Sequence, residues 1–461
     1  MKKKRNVDMD YKKLTFATVL AMGASMIYAQ NAEIATWSGF RKGATSFTFD
    51  DSAPSHVSDA GPLFDKYNYK ATFNLIVSAG WNTPDWNGFQ KMADTGHEMA
   101  SHSDSHPGNG AMPNSEIASS KSHINDKINQ KYGCITLAYP NCNVPDERQV
   151  LQNYIAGRVC NASWAQIPSD VMSKDGPSNW AKVPAAMTGA ENSIKSTNDF
   201  TGLMQNAINS NGWVMFLTHG FQGKNNGGAS YSPTDISAIE GALKWAQQND
   251  KDIWVAPFRN VAMYIKERKA SQVSASTSGS TTTVKLTHNI KDNISDYDYP
   301  LSLRVQTSLS KAEVTQAGAT LESKIDGGYI YFDAVPNAGD IVISDGNGAG
   351  PGPESSSSSE VTDNSSSSDV GCDALIPGCG YEGPGMDIAP SIPNNFALSV
   401  YKSSDNYIVV GGAQGMSITV FNSLGHKLRS TRGLGAEQKV YTGAKGVYIV
   451  KVGGKIMKVR L

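Results

Sequence analysis

Five side chains have residue types and spacings suited to hydrolysis at a metal ion: Asp50, Asp51, His102, His106 and His219. Two imidazoles four residues apart can face one metal, and together with one carboxylate they supply three ligands. Three ligands leave a coordination position open, as catalytic sites do. The other carboxylate can accept a proton from water, and a histidine on the opposite wall can protonate a leaving group. The set predicts hydrolysis of an acyl group.

The two carboxylates and the last histidine each follow a run that is typical of a β-strand. Residues 45–49 lead directly into Asp50 and Asp51, and residues 214–218 lead into His219. Successive side chains of a strand alternate in direction, so adjacent acids can have different roles around one centre. We expect these residues to meet at the carboxyl ends of neighbouring strands.

Residues 30–270 alternate between strand-like apolar runs and helix-like stretches. This alternation predicts parallel strands joined by helices and closed as an α/β barrel. One helix is expected to begin at Ser232 and Pro233, an N-cap residue followed by proline at the first helical position. The strand-like runs are 45–49, 71–77, 135–139, 214–218 and 253–256.

Low-complexity segments divide the rest of the chain. A Ser/Thr-rich stretch spans 271–283, and a Gly/Ser-rich linker spans 346–392. Between them, residues 284–345 alternate polar and apolar side chains with period two, which predicts a small β-sandwich-like module. Residues 393–461 show the same pattern and predict a second small all-β domain, with strand-like runs at 407–410, 417–421 and 447–452.

Residues 1–29 have the order of a secretory signal peptide, with a basic start, an apolar run and small residues before Gln30. Cleavage is expected after Ala29. A membrane anchor is the alternative, although the apolar run is short for a membrane span. We therefore expect a secreted or cell-surface protein with no transmembrane span after cleavage.

The overall composition excludes two other classes of protein. The 461 residues include 41 lysines and arginines against 42 aspartates and glutamates, and no basic block follows the N-terminus. This balance does not fit a nucleic-acid-binding protein. No run of 18 apolar residues occurs beyond the first thirty positions, which excludes a polytopic membrane protein.

Five cysteines in an exported chain leave at least one unpaired. We expect Cys372 and Cys379, which bracket a short Gly/Pro loop, to form a disulfide. For Cys134, Cys142 and Cys160 the pairing stays open, with a structural role expected for two of them and a buried free thiol for the third.

The motifs resemble those of the polysaccharide deacetylases of carbohydrate esterase family 4, the NodB-homology domain. The resemblance covers roughly residues 40–265 and implies a distorted (β/α) barrel followed here by the two small all-β domains. Family members remove acetyl groups from N-acetylglucosamine polymers or from acetylated xylan. The matching segments are Thr48-Phe49-Asp50-Asp51, the stretch 96–106, and Leu217-Thr218-His219.

The resemblance also implies a role for each residue of the set. Asp50 matches the general base and His219 matches the general acid. The metal ligands are Asp51, His102 and His106, and the metal is usually Zn²⁺, with Co²⁺ or Mn²⁺ as alternatives.

The third motif departs from the family pattern. Family members have an Arg-Pro-Pro-Tyr-Gly-like segment, whose arginine holds the base and whose tyrosine amide helps to stabilise the oxyanion. Here Ala138 and Asn141 take those two positions. Arg158, at the end of the next predicted strand, is the candidate for the missing cation beside Asp50.

Two further features bear on substrate and location. Trp164 and Trp180 lie in a Ser/Pro/Lys-rich stretch and are candidates for stacking on sugars in a substrate groove. The last domain resembles the β-sandwich sorting tails of secreted bacterial enzymes, which implies a partner in the secretion machinery or attachment at the cell surface. A carbohydrate-binding module is the rival interpretation for this domain.

These observations predict a secreted, metal-dependent polysaccharide deacetylase acting on acetylated xylan. The first alternative is an N-deacetylase of chitin or peptidoglycan, because amides and esters are attacked in the same way. The second is an inactive surface protein that binds carbohydrate on the same scaffold, which the altered third motif would explain.

Overall fold

A computed structural model describes residues 27–160, 171–346, and seven strand segments between 399 and 460. Most of the predicted signal peptide, almost all of the linker at 346–392 with Cys372 and Cys379, and Trp164 lie outside the described residues. No helix among the described residues is long and apolar enough to cross a membrane.

The described part before the linker contains seven α-helices and nineteen strands. The helices are α1 (Gly61–Lys66), α2 (Trp86–Asp94), α3 (Ser115–Lys127), α4 (Glu147–Asn153), α5 (Thr197–Asn209), α6 (Ile236–Gln248) and α7 (Phe258–Ala270). The strands are β1 (Ile27–Gln30), β2 (Ala32–Ile34), β3 (Gly43–Phe49), β4 (Thr72–Leu75), β5 (Glu98–Ser101), β6 (Thr136–Ala138), β7 (Ala156–Arg158), β8 (Val171–Met172), β9 (Ala186–Met187), β10 (Trp213–Thr218), β11 (Ile253–Val255), β12 (Ser271–Ser278), β13 (Thr281–His288), β14 (Leu301–Gln306), β15 (Glu313–Gln316), β16 (Ala319–Leu321), β17 (Ser323–Asp326), β18 (Tyr329–Ala334) and β19 (Ile341–Ser344).

Parallel strands form a curled sheet that fits the predicted distorted (β/α) barrel. The order is β7-β6-β5-β4-β3-β10, and β11 pairs with the first half of β3. The gap between β7 and β10 is bridged by an irregular segment. Gly157 donates its N–H to the carbonyl of Trp180 at 2.8 Å, and β9, a few residues later, pairs with β10. The carboxyl ends of all these strands therefore face one end of the barrel.

The central strand β3 is buried along its whole length, as expected for a strand covered on both faces. Phe47 and Phe49 contribute to a core with Phe64, Phe73 and Phe216, and their rings lie 5.0–5.7 Å apart. This aromatic core fixes the end of β3, and with it the position of the two acids that follow.

The helix expected to begin at Ser232 and Pro233 begins later, at Ile236. The side chain of Asp235 accepts a hydrogen bond from Ser237 N and caps α6. Ser232 instead has a positive φ of 45°, and its hydroxyl donates to the carbonyl of Thr188. Ser232 thus ties two loops of the barrel together, and the aspartate closer to the apolar face provides the cap.

The Ser/Thr-rich stretch at 271–283 is not a linker. It forms β12 and the first three residues of β13, and these two strands pair along eight residues as an antiparallel hairpin directly after α7. Small hydroxyl residues on the exposed face hid a period-two pattern whose inward members include Ala275, Val284 and Leu286. Composition alone does not separate such an exposed strand face from a linker.

Two sheets form the predicted β-sandwich-like module, with orders β1-β12-β13-β19-β15-β16 and β17-β18-β14-β2. Two of their strands, β1 and β2, come from residues before the barrel. Cleavage after Ala29 would remove three of the four residues of β1. The inner faces of the module share one apolar core with α7, which includes Tyr264, Leu303 and Val305. The module and the barrel are therefore packed together.

After the linker, seven antiparallel strands form two sheets, β20-β21-β24 and β23-β22-β25-β26. Ile408, Val410, Ile418, Val420 and Val450 form their shared core. This is the all-β architecture predicted from the sequence. The strands are β20 (Ser399–Lys402), β21 (Tyr407–Gly411), β22 (Ser417–Asn422), β23 (Lys427–Arg432), β24 (Glu437–Tyr441), β25 (Val447–Val452) and β26 (Lys455–Arg460).

The three cysteines of the barrel behave as expected. Cys142 and Cys160 form a disulfide, which joins the loop after β6 to the end of β7. Cys134 is a buried free thiol, and burial raises its pKa. The thiol is consequently held in its neutral form.

Candidate metal centre

The ends of three barrel strands bring the sequence-predicted set together. Asp50 and Asp51 follow β3, His102 follows β5, and His219 follows β10. His106 lies in the loop after β5. Because these strands are parallel neighbours or near neighbours in the sheet, their carboxyl ends meet at one edge.

Asp51, His102 and His106 have the geometry of three ligands around one cation. Oδ1 of Asp51 lies 3.3 Å from Nε2 of His102 and 3.5 Å from Nε2 of His106. Ligand bonds to zinc of 2.0–2.2 Å at tetrahedral angles separate ligand atoms by about 3.3–3.6 Å. Oδ1 of Asp51 is buried and makes no hydrogen bond of its own. The three residues therefore fit a small divalent metal.

The surrounding backbone aims both imidazoles. Nδ1 of His102 lies 2.9 Å from the carbonyl oxygen of Ala138, to which it donates, so Nε2 keeps its lone pair for a ligand. His106 is turned inward by a tight loop in which it and Ser103 have φ values of 46° and 68°. The Ser103 hydroxyl accepts from His106 N at 2.9 Å, and the Ser101 hydroxyl accepts from Ser103 N at 3.2 Å. Serines of the motif thus hold the ligand loop.

Asp50 is buried and has two strong partners. Arg158 Nη2 donates to Oδ2 at 2.5 Å, and Asn74 Nδ2 donates to Oδ1 at 2.7 Å. Burial alone would raise the pKa of Asp50, but the positive charges of Arg158, His102 and His219 hold that pKa below its usual range. The carboxylate is therefore ionised, and the predicted contact with Arg158 is present.

The metal-ligand residues are coupled electrostatically in the same way. Burial would raise the pKa of Asp51, but the imidazole of His102, 3.3 Å away, lowers it. Burial likewise opposes the charged form of His102, yet the two neighbouring carboxylates raise its pKa. The two carboxylates therefore favour positive charge at this position.

His219 faces the carboxylates from the far side, with its Nδ1 buried and without a hydrogen bond. His56 Nε2 donates to the carbonyl oxygen of His219 at 2.9 Å. Burial lowers the pKa of His56 to about 4, so this ring is neutral and acts as a fixed donor. The Tyr231 ring meets the His219 imidazole edge-on, with 5.3 Å between centroids.

The remaining candidates from the sequence, Asn141, Trp180 and Trp164, have different outcomes. Asn141 has a φ of 54°, and its Nδ2 donates to the carbonyl of Pro107 at 2.8 Å, so its side chain secures the loop that follows His106. Trp180 does not lie beside the metal ligands. Its ring packs into the core shared with the β-sandwich module and lies 4.5 Å from the Lys266 ammonium. Burial against α7 accounts for this tryptophan, and Trp164 lies outside the described residues.

Three further residues contact the site and were not singled out by the sequence. Asn74 is an amide within the largely apolar strand β4, a signal that could have been used. Trp81 meets the His106 ring edge-on at 5.2 Å, and Tyr231 does so at His219. Trp81 and Tyr231 are 42% and 55% exposed, which places apolar surface on both sides of the centre.

Comparison with known proteins finds one matching family model and one curated relative. Residues 39–153 match the family model described as polysaccharide deacetylase. This segment contains four of the five predicted residues, with His219 beyond it. A gellan lyase from a Bacillus species is 25% identical over 339 residues, which is 68% of this chain but only 13% of that protein.

Three solved structures illustrate the similarity found among known folds. The Xyl-CE4 domain of a multidomain xylanase from the hindgut metagenome of Trinervitermes trinervoides is 18% identical, with a TM-score of 0.31, and the match covers 48% of this chain and 89% of that one. A family 4 acetyl xylan esterase from Clostridium thermocellum, solved with a cobalt ion, is 16% identical, with a TM-score of 0.31, and the match covers 47% of this chain and 89% of that one. A peptidoglycan N-acetylglucosamine deacetylase is 17% identical, with a TM-score of 0.30, and the match covers 47% of this chain and 86% of that one.

The family match falls on the segment that carries Asp50, Asp51, His102 and His106 and the loops that position them. Over this segment the chain is therefore similar to the polysaccharide deacetylases, a family of hydrolases.

Proposed function

We propose that this chain is an exported, metal-dependent deacetylase that removes acetyl groups from a carbohydrate polymer, with acetylated xylan as its substrate. The observation that carries the proposal is the buried Oδ1 of Asp51, which faces two imidazole nitrogens at ligand-to-ligand distances and has no hydrogen bond. A buried acceptor without a donor is costly unless a ligand completes it.

Asp51, His102 and His106 would hold a divalent metal. Such a metal supplies Lewis-acid chemistry: it polarises an acetyl carbonyl and makes water acidic enough to attack it near neutral pH. Zn²⁺ suits one carboxylate and two imidazoles, and Co²⁺ or Mn²⁺ can occupy the same set.

Asp50 is placed to receive the proton of the attacking water. Its Oδ2 lies 4.0 Å from Nε2 of His102, which puts the base beside the ligand cluster without making it a ligand. Arg158 and Asn74 fix both oxygens of the carboxylate, so its orientation is set before substrate binds. Arg158 supplies the positive charge that the third motif lacks.

His219 is placed to protonate the leaving group. It approaches from β10, whereas the metal ligands come from β3 and β5, so a scissile bond between them would meet the base and the acid on different sides. Its backbone is held by the neutral His56 ring. The leaving oxygen or nitrogen would take its proton from this imidazole.

The substrate class follows from the surface around the centre. Of the described residues, only Trp81, Leu151 and Tyr231 are large exposed hydrophobic side chains, and two of these three touch site histidines. Amphipathic rings on either side of a polar centre suit a sugar chain, whose rings have apolar faces and polar edges. Accessory β domains joined by a serine tract at 355–368 are common in enzymes that degrade plant cell walls, which favours xylan.

Export rests on the signal-peptide-like residues 1–29 and on the C-terminal domain, which we propose acts as a sorting tail. Export would bring the enzyme to a polymer that cannot enter the cell. Detection of the chain in the culture medium or at the cell surface, and its retention inside the cell when residues 393–461 are removed, would support this part of the proposal.

The test is acetate release by the full chain, prepared metal-free and then reconstituted with Zn²⁺, from acetylated xylan and from N-acetylglucosamine oligomers. We expect release from xylan that depends on metal, binding of one metal per chain, and loss of release in Asp50→Asn. Release only from the amide substrate would make it a chitin or peptidoglycan deacetylase. Metal binding without acetate release from either substrate would overturn the proposal.

A further inference from the structure

The β-sandwich-like module carries a cavity of about 700 Å³ on the face of its smaller sheet that is turned away from the core. Strands β14 and β18 place Ser302, Tyr331 and Asp333 on this face, since their neighbours Leu303 and Phe332 point into the core. The short turn before β3 forms the remaining wall, with Gly39 and Phe40. Apolar rings and polar groups thus share the lining.

The turn that forms this wall is held in an unusual conformation. Gly39 and Phe40 have φ values of 70° and 59°, and an aromatic residue is rarely found in the left-handed region. The hydroxyl of Ser302, a 2% exposed residue, accepts a hydrogen bond from Gly39 N at 2.7 Å and donates to Asp333 Oδ1 at 2.5 Å. A buried side chain therefore fixes both the turn and one carboxylate of the cavity.

The strained turn places the Phe40 ring over the sheet. Its centroid lies 5.2 Å from that of Tyr331, with the two rings nearly perpendicular, and 5.3 Å from the guanidinium of Arg304. Both rings remain part of the cavity wall and are only half-buried. Two aromatic rings therefore stay partly exposed on the cavity wall, where packing of the core does not need them.

The charged groups of the cavity indicate what class of ligand fits. Three carboxylates, from Glu322, Asp326 and Asp333, line it together with the ammonium of Lys324. The excess of acceptors favours a ligand rich in hydroxyl donors and disfavours an anion. Aromatic faces beside hydroxyl acceptors suit neutral sugar rings.

We propose that this cavity is a second saccharide-binding site, which holds a neutral polysaccharide away from the metal centre. The inference rests on the proposed function, because the polymer held here is the one that the barrel deacetylates. Phe40 precedes β3 and Asp50 follows it, so the two sites lie at opposite ends of a seven-residue strand, roughly 23 Å apart along it. Binding at both sites would raise the apparent affinity for long polymers without changing the chemistry on short ones.

The test measures retention of the full-length, metal-free chain on insoluble acetylated xylan and on chitin, with Tyr331→Ala and Asp333→Ala as the variants. We expect each variant to weaken retention on one neutral polymer by about 10-fold, while kcat/KM of the Zn²⁺-loaded enzyme for a small soluble acetyl ester stays unchanged. Tyr329→Ala is the matched control, because Tyr329 is on the same strand and face but outside the cavity. That control should change retention less than twofold.

The outcomes separate the two proposals. Acetate release with retention that ignores Tyr331 and Asp333 overturns the second site alone. Retention that depends on the cavity, without acetate release, overturns the deacetylase function alone. If Tyr331→Ala lowers the melting temperature, the exposed Asp333→Asn replaces it, since asparagine can still accept from Ser302. Cavity-dependent retention of the anionic polymer gellan, and not of neutral polymers, would also overturn the inference.

Discussion

One buried carboxylate at each end of the barrel, Glu98 at the amino end and Asp51 at the carboxyl end, shows the opposite state of hydrogen bonding. At the amino end, Glu98 of β5 accepts from the hydroxyls of Thr72 and Thr136 at 2.7 and 2.5 Å, and from Arg259 N at 2.8 Å. At the carboxyl end, Oδ1 of Asp51 is equally buried and has no hydrogen bond. Glu98 joins three elements of the fold, whereas Asp51 keeps an acceptor ready for a ligand.

The backbone differs between the two ends in the same way. Loops at the amino end use Asn68, Gly96, Gly133 and Asn211 for positive φ, and these are residue types that tolerate it; Phe40 before β3 is the exception. At the carboxyl end the residues with positive φ include types that do not favour it, namely Ser52, Ser103 and Cys142. Asp51 combines a positive φ with a buried acceptor that has no hydrogen bond, and this combination marks the carboxyl end as the functional end of the barrel.

Paired isosteric substitutions should separate the two roles. Asp51→Asn removes a ligand and should lower kcat/KM for acetate release at least ~10³-fold, with no loss of thermal stability in the metal-free protein. Glu98→Gln places an amide N–H₂ among three donors and should cost about 2 kcal/mol of unfolding free energy, while activity per folded molecule is kept. Calorimetry and acetate assays on both variants measure the two effects.

The metal-free wild-type protein is the control for the melting temperature of Asp51→Asn. Equal destabilisation by both substitutions, or loss of activity in both at unchanged stability, would show that the contrast between the two ends has no functional meaning.

The sequence predicted this centre because its residues lie in short local motifs at strand ends. Asp51, His102 and His106 meet as their spacing implied, and even Arg158 reaches Asp50. Exposure, by contrast, depends on the packing of distant segments. Trp180 therefore proved to be packed against α7, while Tyr231, from an ordinary loop, stands beside His219. The hairpin at 271–288 was missed because serine and threonine occur both in linkers and on exposed strand faces.

A further buried carboxyl group, that of Glu267 of α7, extends the comparison between Glu98 and Asp51. Tyr299 N donates to its Oε1 at 3.1 Å, but Oε2 is buried without a partner and lies far in the sequence from the metal ligands. Burial, with a further contribution from Asp298, raises the pKa of Glu267 from 4.5 to about 8 despite the opposing charge of Lys131. This carboxyl group is protonated at neutral pH, so it is a hydroxyl donor and not an empty acceptor.

Stability should therefore depend on pH through Glu267. Below pH 4.5 both the folded and the unfolded forms are protonated, and this stabilising contribution is fully present. As pH rises toward 8 the unfolded form loses its proton first, so the unfolding free energy should fall by about 3 kcal/mol. Glu267→Gln should remove that slope in melting experiments between pH 5 and 8.

Glu240→Gln is the matched control, because hydrogen bonds from Lys66 and Tyr67 lower the pKa of Glu240 to about 2. That residue changes its protonation below pH 4.5, and its replacement should leave the slope between pH 5 and 8 intact. A Glu267→Gln variant that melts with the wild-type pH dependence would mean that the carboxyl group is ionised in the folded protein. Its Oε2 would then be a buried acceptor without a donor.

Arg158 tests whether the ionised state of Asp50 is what distinguishes the carboxyl end. Arg158→Lys and Arg158→Ala both remove the guanidinium that lowers the pKa of Asp50, so the acidic limb of the pH–activity profile should move to higher pH. We expect kcat/KM to fall about 10- to 100-fold, more in the alanine variant. The exposed Arg148→Ala serves as control, and an unchanged pH profile in Arg158→Ala would remove Arg158 from the mechanism.

The smallest effect concerns the two exposed rings beside the centre. Trp81→Ala and Tyr231→Ala remove apolar surface that a polymer can cover, so each should raise KM for acetylated polysaccharide about 10-fold at little cost in kcat. A small acetyl ester, which cannot span from His106 to His219, should be hydrolysed at the wild-type rate. Leu151→Ala, the third exposed hydrophobic residue, lies away from the centre and should alter neither substrate. If hydrolysis of the small ester slows as much as hydrolysis of the polymer, the two rings act by positioning the histidines they contact. The carboxyl end would then bind only the acetyl group and not the polymer around it.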